Sequence, residues 1–219
     1  MNPDVMEQIR KCYKGDGGKE ETEKVLERYL EVDPECIEAW MRLAITVFEP
    51  PIADYDKSIH CLKRAIRIGP GCLEALFILA RIQDIIYREV DEDVFQELHS
   101  IQTNDPEEQS MLEYAKAWYY ESKEMWHEYE NALKRSIVVY PGHVLNHISL
   151  GLFYVNQGDR EKGKSLLVKG VRNVKHVYQA DDGFDEVGDY NEFINERIKG
   201  IHVTDVINEL WKKTIRSLS

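Results

Sequence analysis

Long apolar runs are missing from this 219-residue chain: the longest, 75–80, is far short of the roughly 20 residues a helix needs to cross a bilayer. A positive surplus is missing too. Lysine and arginine number 28 against 40 aspartates and glutamates, a net charge of -12, which repels phosphate backbones and anionic lipid and excludes general attraction to nucleic acid or membrane. Cysteine is sparse. Cys12, Cys36, Cys61 and Cys72 lie far apart with no C-x-x-C pair, which suits a reducing compartment better than a disulfide framework or a structural zinc. The opening residues include Asp4 and Glu7 and no apolar leader core, so an unexported, cytoplasmic protein is expected. The signatures G-x-x-x-x-G-K-[ST], G-x-G-x-x-G and G-x-S-x-G do not occur, and Gly15, Gly17 and Gly18 form an isolated turn cluster. Strand-like alternation is absent as well.

Apolar residues make up 43% of the chain, enough for a sizeable core. Turn landmarks recur at Pro34, Pro70, Pro106, Pro141 and Lys175, at separations of 36, 36, 35 and 34. A fixed period of this size means stacked supersecondary units. Each interval holds two apolar stretches with helical spacing, so five helix-turn-helix units are predicted over about 3–36, 37–72, 73–108, 109–143 and 144–177. Asn2-Pro3-Asp4 and Asp105-Pro106-Glu107-Glu108 read as N-caps followed by proline and acids at the positive helix end. Gly158-Asp159 reads as a turn and cap within the fifth unit.

The fifth unit carries the most specific pattern: His147-x-x-Leu150-Gly151-x-x-Tyr154-x-x-x-Gly158-Asp159-x-x-x-Gly163-x-x-x-Leu167-x-x-Gly170. The second reads Trp40-x-x-Leu43-Ala44-x-x-Val47, then Ser58, Leu62, Ala65 and Pro70, with two residues looped out at Pro50 and Pro51. Over roughly residues 2–177 the chain resembles the tetratricopeptide repeat family. The first unit is more polar, with Met6, Ile9, Tyr13, Gly17, Thr22, Leu26, Tyr29 and Pro34 in place. The third keeps Leu76, Leu79, Ala80 and Pro106 around an acidic stretch at 89–93, and in the fourth either Ala115 or Ala117 fits the small position of the first helix. The resemblance implies an all-α, right-handed superhelical solenoid of some twelve helices in antiparallel pairs. Residues 178–219 break the period and read as an acidic loop followed by C-terminal capping helices. The last of these carries Leu210, Trp211, Ile215 and Leu218 as a lid over the end of the array, the alternative being that this stripe docks into the concave groove of the array or extends to another protomer.

Four constellations invite a chemical reading. His143 and His147 are one helical turn apart but lack the glutamate of H-E-x-x-H, and His147 stands where the family has tryptophan, so packing is the reading preferred over zinc. Asp181, Asp185, Asp189 and Glu192 match positions of a calcium loop, but Glu186 stands where glycine is required, leaving a solvated acidic loop. Trp118, Tyr119, Tyr120, Trp126 and Tyr129 are read mainly as knobs between stacked helices, with one or two left exposed as a binding platform. The fourth is a peptide-carboxylate clamp. The chaperone-tail subgroup of the family uses lysine, asparagine and arginine, whereas here the places hold Glu7, Lys11, Arg42, Glu74 and Ile78, which argues against that ligand.

In the family the first helix of each unit lines a concave groove. Carried over, the groove residues are Met41, Arg42, Ile45 and Phe48, then Phe77, Ile78 and Arg81, then Leu145, Ile148, Ser149 and Leu152. This set is apolar, and Phe77 and Ile148 are expected to be partner contacts more than core. The function expected is an adaptor or scaffold that binds a helix or peptide segment of another protein, without enzymatic activity, cofactor or metal. The runner-up is an acidic inhibitor or immunity protein steered by charge to a basic toxin or enzyme. Self-association is left open.

Overall fold

Every element of the computed structural model, which describes residues 1–14 and 18–178, starts where a chain-reversing or capping residue permits it. Ten helices and no strand occur among the described residues. They are α1 (Pro3–Lys14), α2 (Gly18–Val32), α3 (Ile37–Phe48), α4 (Tyr55–Ile68), α5 (Leu73–Tyr87), α6 (Glu92–Ser100), α7 (Pro106–Ser122), α8 (Trp126–Val139), α9 (Val144–Asn156) and α10 (Arg160–Tyr178). Each odd helix packs on the even helix that follows, and successive pairs stack into an all-α solenoid. The helices expected within 178–219, with their lid, and the acidic loop at 181–192 lie outside the described residues.

Three of the turn prolines close the chain in the same way. The amides of Cys36, Cys72 and His143 donate to the carbonyls of Asp33, Gly69 and Tyr140 at 3.3, 3.1 and 3.2 Å. Each of these residues then caps the next helix in extended backbone, with proline at the turn position its fixed φ suits. Four tight starts carry side-chain caps. Asn2 accepts from the Asp4 amide at 2.8 Å, Asp54 from Lys57 at 2.9 Å, Asp105 from Glu107 and Glu108 at 2.8 and 3.0 Å, and Asp159 from Lys162 at 3.2 Å. Each such cap contributes about 1 kcal/mol.

Two landmarks keep the period but not the turn. Pro106 is the first residue of α7, because the Asp105 cap starts that helix early, so a boundary at 108/109 falls inside α7. Lys175 lies within α10, where no proline stops the helix. What holds the period is a leucine eight residues before each landmark: Leu26, Leu62, Leu98 and Leu133 are fully buried and Leu167 is 2% exposed. Burying a leucine stabilises by roughly 1.5–3 kcal/mol, so this column is a spine for the second helices.

Close approach within pairs follows the small residues. A Cβ on Gly163 would stand 2.6 Å from the Gly151 carbonyl and 3.0 Å from the Val155 amide, so only glycine admits this contact of α9 with α10. The corresponding place in the second unit is Ser58, whose hydroxyl donates to the Ala44 carbonyl at 2.8 Å. The α3–α4 connection, residues 49–54, is longer than those at 123–125 and 157–159 and includes a cis Pro50–Pro51 peptide bond.

The third pair departs from the pattern. Helix α6 has 9 residues against 14 in α4 and α8, and α5 meets α7 directly, more extensively than it meets α6. That contact decides what the first-helix face looks like.

Candidate protein-binding surface

The first helices α3, α5, α7 and α9 form the face on which the groove was expected. Six of its predicted residues are buried: Arg42, Ile45, Phe77, Ile78, Leu145 and Ile148. Met41, Phe48, Arg81, Ser149 and Leu152 are half-buried. The expectation that Phe77 and Ile148 face a partner is therefore corrected, and the causes are local. Phe77 is covered because α7 lies against α5, placing the Trp118 ring 4.9 Å from its own. Ile148 faces α10, its Cγ1 within 3.2 Å of the point where a Gly170 Cβ would stand. Arg42 is drawn back along its helix by Glu38, which accepts from Nε at 3.0 Å and Nη2 at 2.8 Å and also receives the N-terminal ammonium at 3.0 Å. Ile45, Ile78 and Leu145 belong to the continuous core.

A polar and aromatic cluster takes the place of the expected apolar strip in the centre of this face. The Arg81 guanidinium pairs with Asp84 at 2.8 Å and stands 5.1 Å from the centre of the Trp118 ring. Burial pushes the Asp84 carboxyl above its ordinary range, against the pull of Arg81 and Arg88. One layer on, the Tyr114 hydroxyl and Ser149 Oγ are 3.2 Å apart, linking α7 to α9. Burial raises the Tyr114 phenol, so it is held protonated as a hydrogen-bonding group. Trp118, Tyr114 and Asp84 are buried and hold the half-buried Arg81 guanidinium in place, so Arg81 is the group of this cluster that reaches the surface.

Behind it lies a buried polar node joining α7, α8 and α9. Ser110 Oγ is 2.8 Å from Ser136 Oγ and 3.1 Å from His143 Nδ1, and Asn146 Nδ2 donates to both serine hydroxyls, at 3.1 Å to Ser110. His143 is 6% exposed, and its Nε2 has no hydrogen-bond partner. Burial, reinforced by nearby His147, pushes its pKa down to about 3, so the ring is neutral at physiological pH. His147 uses Nε2 to donate to the Pro141 carbonyl at 2.9 Å. This is the bond Trp40 Nε1 makes to the Pro34 carbonyl at 2.8 Å, so His147 occupies the tryptophan position of its unit. The two histidines thus serve different internal contacts. Among the described residues no group of three or more His, Cys, Asp or Glu side chains is gathered as a metal site, and no helix is long and apolar enough to cross a membrane.

The aromatic set divides. Trp118 and Tyr129 are buried, Tyr119 and Tyr120 are half-buried, and Trp126 is 44% exposed. The serine node was missed by sequence reasoning, although one signal existed. Ser136 precedes Pro141 by the interval at which Ala65 precedes Pro70, and a hydroxyl in a buried alanine position requires a partner.

No protein-family model matches the sequence, and no curated protein does either. Solved structures do. A crystal structure of MamA aligns with a TM-score of 0.56 at 19% identity, covering 77% of this chain and 95% of that one. A MamA structure from Desulfovibrio magneticus RS-1 aligns at 0.59 and 14%, covering 78% and 94%. The MamA RS-1 ArsTM double mutant gives 0.59 and 15%, covering 81% and 96%. The likeness is one of fold. At such identities it extends over nearly the full length of each MamA chain, and it agrees with a tetratricopeptide-like solenoid.

Proposed function

We propose that this chain is a protein-binding scaffold that uses the face of its first helices, with Met41, Phe48, Arg81 and Leu152 contacting the partner segment. The observation that carries the reading is the state of that face. Helix α7 packs against α5 and is tied to α9 through Tyr114 and Ser149, and on this side Arg81, held by Asp84 and Trp118, is a pre-ordered arginine of the kind that dominates interfaces. Solenoids of this kind gain binding area by repetition. Their groups act by position, and the reading assigns recognition, not catalysis, to the face.

The net charge of -12 favours a second reading, an inhibitor that covers a basic enzyme or toxin. Affinity capture with the full chain tests the first reading, with Leu152→Asp and Arg81→Ala compared with wild type. Loss of one discrete partner in both variants, at unchanged thermal midpoint, supports it. Capture of nothing, or capture indifferent to both substitutions, refutes it. A captured enzyme whose activity falls on binding would favour the inhibitor.

A further inference from the structure

Seven large apolar side chains stand out as exposed among the described residues, and five of them, Tyr55, Ile85, Tyr87, Met125 and Trp126, lie at the turns between the two helices of a pair. These turns form one continuous edge. Lys19 of α2 reaches the Pro50 carbonyl at 3.0 Å, the Tyr87 hydroxyl reaches Asp56 at 3.4 Å, Lys123 pairs with Glu89 at 2.5 Å, and the Trp126 ring stacks on Phe153 at 6.3 Å. Each contact joins one pair to the next, so the exposed rings belong to a single ridge along the side of the solenoid.

The ridge is strongly negative. The stretches 49–57, 85–93 and 121–128 carry ten aspartates and glutamates against Lys57, Arg88 and Lys123, and two further lysines, Lys19 and Lys63, pair with Glu49 and Asp91 there. Apolar rings set among carboxylates fit a cation with an aliphatic stem, because a lysine or arginine lays its methylenes on a ring and its charge beside an acid. The ridge already holds one of its own lysines this way. Lys123 Nζ lies 5.7 Å from the centre of the Tyr119 ring while paired with Glu89. Tyr87, beside Asp56, offers the same combination outward, and the exposed Trp126 lies in the same acidic stretch as Glu124 and Glu128. The sign of the field repels nucleic acid and anionic membranes.

We infer that this turn edge is a docking surface for a lysine- and arginine-rich segment of a partner protein, with Trp126 and Tyr87 as its anchors. The inference rests on the protein-binding reading but not on the first-helix face. The test is fluorescence anisotropy on the full chain with two labelled peptides, one built from lysine, arginine and leucine, the other with glutamate replacing every cation. The cationic peptide binds and the acidic one does not. Combining Trp126→Ala with Tyr87→Ala weakens binding about 30-fold, as expected for two aromatic anchors, and Glu124→Lys with Glu128→Lys weakens it about tenfold through the lost field. Leu152→Asp leaves it unchanged. Thermal melts confirm that each variant is folded, and the charge-reversal pair keeps the test decisive if removal of Trp126 loosens Phe153. Failure of the cationic peptide to bind, equal binding of the acidic one, or indifference to both edge variants overturns the inference, whereas capture through Arg81 and Leu152 stands or falls separately.

Discussion

Acidification should unfasten the fifth unit through a single ring. His143 has its pKa pushed down to about 3 from an ordinary 6.5, so the unfolded chain takes up a proton that the folded chain refuses. The stability tied to this refusal is fully present above pH 6.5 and is lost as pH falls from there toward 3, at a slope of about 1.4 kcal/mol per pH unit. Between pH 7 and pH 5 the loss from His143 alone comes to about 2 kcal/mol, a large part of a typical net stability of 5–15 kcal/mol. Carboxylates held low by their partners, such as Glu130 by Lys134 and the Tyr154 hydroxyl, also weaken the fold in acid, so a reference that shares them is needed. His143→Gln is that reference: it keeps an amide beside Ser110 and cannot titrate. Urea unfolding at pH 7 and pH 5 should show wild type losing about 2 kcal/mol more than the variant over this interval. Parallel losses in the two proteins would refute the argument, as would a shallower fall in wild type.

Three further outcomes follow from packing. Phe77→Ala, by opening a cavity beside Trp118, should cost about 3–5 kcal/mol in chemical denaturation, whereas Trp126→Ala should cost far less. Gly163→Ala should lower the thermal midpoint by several degrees despite the better helix propensity of alanine, because the added methyl meets the Gly151 carbonyl and the Val155 amide. Asp105→Ala, which removes the acceptor of two amides at the start of α7, should cost about 1 kcal/mol without altering the helices on either side.

The repeat architecture was legible in the sequence because proline turns and small residues at fixed separations have local causes. Pro34, Pro70 and Pro141 reverse the chain through their own φ, and Gly151 and Gly163 mark a backbone contact no other residue permits. Pro106 is a landmark of the period and also reads, after Asp105, as the first residue of a helix; a proline fits both places, and the Asp105 cap makes it the helix start. The groove was read less well for a tertiary reason. Phe77 and Ile78 occupy groove register, but the short α6 lets α7 close on α5 and cover them. Nothing in the residues of α5 announces the length of its neighbour. The serine and histidine node was hidden because its members lie up to 36 positions apart and become a unit only when α7, α8 and α9 meet.

Trp40 and His147 differ in size, hydrophobicity and codon, yet each puts a ring N–H against the carbonyl of a turn proline six residues earlier. In units two and five, heredity can therefore change the letter while keeping the atom. Tryptophan at 147 would be accepted if the space allowed, but phenylalanine would leave the Pro141 carbonyl without that donor despite its closer likeness in shape. Drift of this kind erodes every residue-by-residue resemblance between such solenoids long before it disturbs the scaffold, and two arrays can come to share a shape while sharing little spelling.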